Sequence, residues 1–449
     1  MSNLRVGFSR IEINPPMGIS LQGYFIERRA EGILDNLEIN AVAVSLKDKT
    51  VLLMTIDHCG LPKVFLDNYK NEISKATGVP VDAIYIHSTH THTAPTVVVG
   101  MTDPLSIEYD KTLCQKAVEV SKMAISDLKS AKMGYGTAKA PNIAFIRRYR
   151  MKDGTIRTNP GVNNPDILHP IGEIDDRVHV VRFDREGAET VVVVNFADHP
   201  DTVGGNLISG DWPTLTRHTL EKAIDNVKGI VFNGAQGDVN HVNVHPTKGD
   251  FNDMFNDFDG CSRGYGHTRY MARVVAGGVM QIYDKVNYTD VDSIDYVQKI
   301  VEIPSNKPDP KDMPLAKKYH ELHMAGRDDE IPFKAMMLTT VVAEAARMVR
   351  LENAPETFPM IFSAIRIGKV AFFGIPGEPF TGVGRALKET EGYDMIIPTC
   401  NTNAKEGYFP MREAYIEGGY EARSSNFKEG VAEKIIEEGQ KILTEMLNK

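Results

Sequence analysis

Short runs of β-branched and apolar residues, most of them stopping at a polar residue, constrain this chain more than any other feature. They fall at residues 41–46, 51–56, 84–87, 191–196 and 230–232, and Val191-Val192-Val193-Val194-Asn195-Phe196 is the plainest of them. Runs this short and this rich in valine and isoleucine read as buried strands. Between them lie segments of helical period at 106–128, 213–226, 265–286, 334–351 and 428–447. Strands alternating with helices give an α/β layered domain. Two later runs, 358–367 and 370–375, are separated by Gly368-Lys369 and predict an antiparallel hairpin, so the sheet is expected to be mixed and flanked by helices. Residues 304–332, rich in Pro, Lys and Asp, read as a charged surface insertion that cannot pack into a core. The rest reads as one domain spanning 1–449.

Charge and composition exclude several function classes. With 51 Lys+Arg against 60 Asp+Glu the net charge is −9, whereas a general nucleic-acid binder carries a basic patch or stripe. No apolar run approaches the roughly 20 residues of a membrane span. The start, Met1-Ser2-Asn3-Leu4-Arg5-Val6-Gly7-Phe8, lacks a charged region followed by an apolar one, so a cytoplasmic protein without stable membrane association is expected. Its partner is then a small molecule, and assembly into a homo-oligomer is left open. Cys59, Cys114, Cys261 and Cys400 are scattered singly, which fits reduced thiols.

The candidate chemistry sits at strand ends. His90-Thr91-His92 follows the apolar run 81–86. If the strand continues through it, residues two apart face the same side, and two imidazoles there suit zinc. They equally suit polar strand-end residues hydrogen-bonded to neighbours. His199 follows the valine run in Asp198-His199-Pro200, where Asp198 could hold the ring as a metal-bound histidine is usually held, or His199 could be a structural histidine. Glu378, in Pro376-Gly377-Glu378-Pro379, offers a carboxylate, or a charge favourable to the helix that follows. The glycine turn 232–241, with Asp238, Asn240 and His241, could present donors to an oxyanion, and His241 and His245 could equally be loop surface. His320-Glu321-Leu322-His323 reads as solvated helix surface.

At these residues the sequence resembles the catalytic domain of the neutral/alkaline non-lysosomal ceramidase family. The resemblance rests on His90-Thr91-His92-Thr93-Ala94-Pro95, similar to the family's His-Thr-His-Ser-Gly-Pro, and on Phe196-Ala197-Asp198-His199-Pro200. It rests also on Ser209-Gly210-Asp211, Gly237-Asp238-Val239 and Pro376-Gly377-Glu378. Gly407-Tyr408, Glu413-Ala414-Tyr415 and Tyr420-Glu421-Ala422 match the family's late tyrosine-rich stretch. Colinear motifs in this order are far more specific than any one of them. The resemblance implies a zinc hydrolase whose metal is held by His90, His199, Glu378 and Tyr408. His92 would sit beside the metal, hydrogen-bonding substrate or the oxyanion, and the family's arginine corresponds to Arg147, or to Arg148 after a one-residue shift.

Two departures bear on function. Where the family has Gly-Asp-Val-Ser-Pro-Asn, this chain has Gly237-Asp238-Val239-Asn240-His241-Val242-Asn243, so the catalytic serine is absent. On this resemblance the family's C-terminal immunoglobulin-like domain is expected to be missing. The reading is a zinc-dependent hydrolase of an amide, or an ester, in a small polar molecule, with metal-activated water as the nucleophile and Asn240 and His241 orienting substrate. The rival readings are a metal-dependent hydrolase or lyase of a carbohydrate, favoured if Asp, Asn and Arg line the pocket, and a non-catalytic metal-stabilised binding protein.

Overall fold

The strand and helix signals resolve into two mixed sheets packed face to face, with helices on the outer face of each. The computed structural model describes residues 4–251, 255–257 and 261–448. The larger sheet runs Val227–Asn233, Thr190–Phe196, Arg177–Arg185, Lys129–Lys139, Arg5–Glu12, Glu38–Leu46, Lys49–Ile56, Ile84–Ser88, with Asn287–Thr289 added beside Lys129–Lys139. Its two outermost pairs are parallel and the rest antiparallel. The smaller sheet runs Ile294–Pro304, Thr357–Ile367, Val370–Gly374, Met395–Thr399, and the hairpin expected around Gly368-Lys369 is its centre.

The valine run shows why the strands are apolar on both sides. Successive strand residues face opposite ways. Val192, Val194 and Phe196 pack with Trp212, Leu220, Met271 and Val275, from the helices Asp211–Ala223 and Tyr265–Ile282. Val191 and Val193 face inward, into the core they share with Phe232 of the same sheet and with Ile365 and Phe372 of the opposing sheet. Helices Lys63–Thr77 and Pro104–Ser126 cover the remainder of the outer face, and Val431–Leu447 covers the back of the smaller sheet. A strand between two packed layers needs no polar face, and at roughly 25 cal/mol per Å² this burial carries the fold.

The larger sheet also curls until its two end strands meet. His87 joins them: its Nε2 accepts from Asn233 N at 2.9 Å and its Nδ1 donates to Cys400 O at 2.7 Å. Burial holds its ring neutral, with a pKa near 3. The ends of Ile84–Ser88, Val227–Asn233 and Met395–Thr399 therefore gather at one point, and the candidate residues leave from there.

Residues 304–332 do pack, contrary to the sequence-based expectation. They include the helix Met313–Met324, which lies against Ala335–Leu351. Met313 and Ala316 contact Ala345 and Met348, while Leu322 contacts Val341 and Val342. Apolar residues at three-residue spacing gave this charged segment one buried stripe, which the Pro, Lys and Asp content obscured. The same stripe contains Leu322, so the His320–His323 stretch is not wholly solvated surface. Cys59, Cys114 and Cys400 are free thiols, and the side chain of Cys261 lies outside the described residues. No described helix is long and apolar enough to cross a membrane.

Candidate metal centre and cavity

His90 and His92 do not lie on a continuing strand. The strand ends at Ser88, and His90 takes the left-handed φ of 79°, which a side chain adopts only when its surroundings impose it. Its backbone N–H donates to His58 O, which fixes this turn. The backbone of Gly23 lies so close to His92 that a Cβ at that position would come within 2.8 Å of the ring, and its φ of +121° also demands glycine. The two imidazoles thus converge through a strained turn rather than through the pleat of a strand.

His90, His199 and Glu378 meet from three distant segments, all buried. Their inner atoms form a near-equilateral triangle. Glu378 Oε2 lies 3.2 Å from His90 Nε2 and 3.3 Å from His199 Nε2, and the two nitrogens are 3.3 Å apart. His90 Nδ1 donates to Cys59 O at 2.5 Å, and His199 Nδ1 donates to Gln236 O at 3.0 Å. A carbonyl can only accept, so each Nδ1 carries a hydrogen and each ring turns its Nε2 inward, as a lone pair whenever the ring is neutral. Two lone pairs and a carboxylate oxygen at this distance repel unless a positive charge, a proton on His90 or a metal ion, sits among them. Burial opposes charge on His90, yet Glu378 and Cys59 outweigh it and raise the ring to about 10. Burial likewise works against the Glu378 carboxylate, and His90 more than offsets it, holding the pKa well below the usual range.

The donor set fits zinc. Ligand bonds of about 2.0–2.1 Å in a tetrahedron put ligand atoms roughly 3.3–3.4 Å apart, close to the spacing of this triangle. Cys59, His90 and His92 also bring donor atoms within 4.8 Å, but the His90 nitrogen nearest the thiol is the Nδ1 committed to Cys59 O. Tyr408 stands next to Glu378 because Tyr408–Phe409 pairs in parallel with Glu378–Pro379. Its ring stacks on His199, with centroids 6.4 Å apart. Burial and Glu378 push its phenol well above the ordinary value, while Arg147 pulls the other way.

Arg147, rather than Arg148, reaches this centre. Its guanidinium lies 5.3 Å from the Tyr408 ring centroid and is held by Glu421 Oε1 and Gly237 O, each at 2.7 Å. Arg148 turns to Glu417 and Gly418 O. His92 Nε2 is 3.2 Å from His90 Nε2, and its Nδ1 is 3.5 Å from Asp201 Oδ1, which also accepts from Tyr24 OH at 2.5 Å. Asp198, the neighbour considered for holding His199, instead accepts from the His199 backbone N–H, and Gln236 O holds the ring.

A cavity of about 580 Å³ opens over this centre, lined by His92, Arg147, His199 and Tyr408. Tyr24, Phe25, Ile26, Met336, Leu338, Val342 and Tyr420 give it an apolar wall, and Arg28, Asn159, Asp201, Asn206, His323 and Asp328 give it polar ones. Asp238, Asn240 and His241 are not in its lining. Asp238 accepts from Thr381 N and Oγ1 at the start of the helix Thr381–Lys388, and burial raises its carboxyl to about 6. Asn240 donates to Asn159 Oδ1 at 2.9 Å and accepts from Val242 N, so it stands behind Asn159, which does line the cavity. His241 lines a separate cavity of about 320 Å³, its ring 5.6 Å from that of His267. Asp201, Tyr24, Gln236 and Asn159 carried no signal in the sequence. Tyr420 and Glu421 lay inside the late tyrosine-rich stretch without being singled out.

The fold and this histidine–carboxylate centre define a two-sheet α/β protein with a candidate catalytic metal site where the curled sheet closes. Comparison with solved structures finds the same fold in neutral ceramidase from Pseudomonas aeruginosa. That match has 16% identity and a TM-score of 0.74, and covers 99% of this chain and 75% of that one. A ceramidase complexed with C2 matches at 14% identity and a TM-score of 0.73, over 100% of this chain and 76% of that one. The chain thus shares the neutral ceramidase fold along its whole length. No protein-family model and no curated protein matches the sequence.

Proposed function

We propose that this protein is a zinc-dependent hydrolase that cleaves an amide bond, or less favourably an ester bond, in a small molecule with an apolar segment. The observation that carries the reading is the triangle of two inward imidazole nitrogens and a carboxylate beside a cavity that His199 lines. The neutral ceramidase fold of the whole chain supports it. The residues holding the ion are His90, His199 and Glu378, with Tyr408 completing the set. When bound, zinc would polarise the scissile carbonyl and make water a nucleophile near neutral pH.

The other residues have work suited to their settings. His92, with its Nδ1 3.5 Å from the Asp201 carboxylate, is placed to hold or pass a proton at the scissile group. Arg147 is fixed by Glu421 and Gly237, so its charge is already in position to stabilise negative charge on the carbonyl oxygen. Position 240 holds an amide, which cannot attack, so no covalent intermediate forms there. The lining carries Arg28, Arg147, Asn159, Asp201, Asn206 and Asp328 beside its aromatic and aliphatic residues, so it does not separate an amide from a carbohydrate substrate, and the neutral ceramidase fold is what favours the amide. Turnover of a 4-nitroanilide of a medium-chain acid tests the proposal. Activity should stop with a chelator and return with zinc. A fully zinc-loaded protein inert to amides and esters alike would contradict it and leave the binding-protein reading.

A further inference from the structure

The helical insertion brings a second polar pair, His323 and Asp328, into the lining of this cavity. His323 Nδ1 lies 2.8 Å from Asp328 Oδ1, and the chemistry above makes no use of either residue. A chain of rings connects the pair to the metal centre. Successive centroids from His199 to Tyr408, Tyr420, Phe25 and His323 are 6.4, 5.5, 6.4 and 6.5 Å apart. All five line the cavity, so one wall is a continuous aromatic surface with a polar group at each end.

We propose that His323 and Asp328 are specificity-determining residues. They would select substrates that carry a hydrogen-bond donor, a hydroxyl or amide N–H, separated from the scissile bond by an apolar segment. This rests on the hydrolase reading for the scissile bond alone. The Asp328 carboxylate takes the Nδ1 hydrogen and fixes the ring, so the neutral tautomer offers Nε2 as an acceptor in a set orientation. The cavity's two arginines are already engaged. Arg28 is on Gln22 O, His92 O and Gly205 O, and Arg147 is on Glu421 and Gly237 O. The far end is therefore rich in acceptors and favours a donor over an anion. A methyl group placed there would leave the pair's polar atoms covered and unmatched, which costs affinity.

Isothermal titration of the zinc-loaded protein with straight-chain carboxylic acids of medium length, each compared with its ω-hydroxy counterpart, tests the assignment. The carboxylate anchors at the metal centre and the hydroxyl reads the pair. At the best-fitting length the hydroxy acid should bind roughly tenfold more tightly. His323→Phe, which keeps a ring against Phe25, and Asp328→Asn should each reduce that preference to below about twofold, with zinc content confirming an intact centre. Equal binding of the two acids at every length, binding of neither, or a preference that survives both substitutions would overturn the assignment. Turnover of the 4-nitroanilides reports separately. Turnover without the preference removes this inference alone, whereas the preference without turnover removes the hydrolase reading and leaves the recognition pair standing.

Discussion

Two groups of histidines follow strands in this molecule, and they come to different ends. His90, His92 and His199 turn toward one point, where a carboxylate from a remote turn meets them under a cavity. His241 follows the strand Val239–Asn240, yet its ring lies beside His267 in another cavity. A strand-end histidine is thus no site by itself. What separates the groups is convergence from distant segments, in which the His90 and His199 rings are each held with Nε2 turned inward.

The largest expected effect comes from removing the carboxylate of the converging group. Glu378→Gln should lose most of its zinc and lower kcat/KM at least about a thousandfold, measured by metal analysis beside turnover. A variant with full zinc and full activity would dissolve the distinction between the groups. The next contrast is between the groups themselves. His92→Ala should lower kcat by roughly a hundredfold with zinc retained, the scale of a lost proton-transfer group, while His241→Ala should stay within about threefold. Equal losses would move the active site toward the second cavity. Asn240→Ala should cost less than about tenfold, because its amide acts through Asn159 rather than on substrate.

A last effect, outside turnover, concerns stability and pH. Burial raises the Asp238 carboxyl from 3.8 to about 6 in the folded protein, against its hydrogen bonds from Thr381. A raised folded pKa means that the folded state holds the proton more tightly. Its contribution is fully present below about pH 4 and is lost as pH rises through 6. This amounts to about 3 kcal/mol. Asp238→Asn keeps an acceptor for Thr381 N and should flatten that part of the stability profile, read as the melting temperature of both proteins from pH 4 to 7. Parallel profiles would show that Asp238 does not titrate in this range.

The sequence displayed the parts that depend on local chemistry. Valine runs ending in polar residues marked the strands, and Gly368-Lys369 marked the hairpin, because burial and turn geometry act within a few residues. His90, His199 and Glu378 stood out as polar groups at the ends of apolar runs. The left-handed turn at His90 did not show, since its dihedral is imposed by contacts with distant backbone. Nor did Asp201, whose function depends on where His92 and Tyr24 arrive. The packing of the insertion was misread because charge and proline dominate its composition, while three-residue spacing of Met313, Ala316, Tyr319 and Leu322 gives this otherwise exposed segment its buried stripe. The second sheet was also hidden, because a run buried between two sheets looks like one buried between a sheet and helices.

The central claim is that a cation belongs between His90, His199 and Glu378. The most direct measurement is anomalous diffraction at the zinc edge from crystals of the protein as purified, combined with elemental analysis. The account predicts one zinc per chain, with a peak about 2.0–2.1 Å from His90 Nε2, His199 Nε2 and a Glu378 oxygen. A protein free of transition metal that takes none up when zinc is supplied, or a peak elsewhere such as beside Cys59, would contradict it.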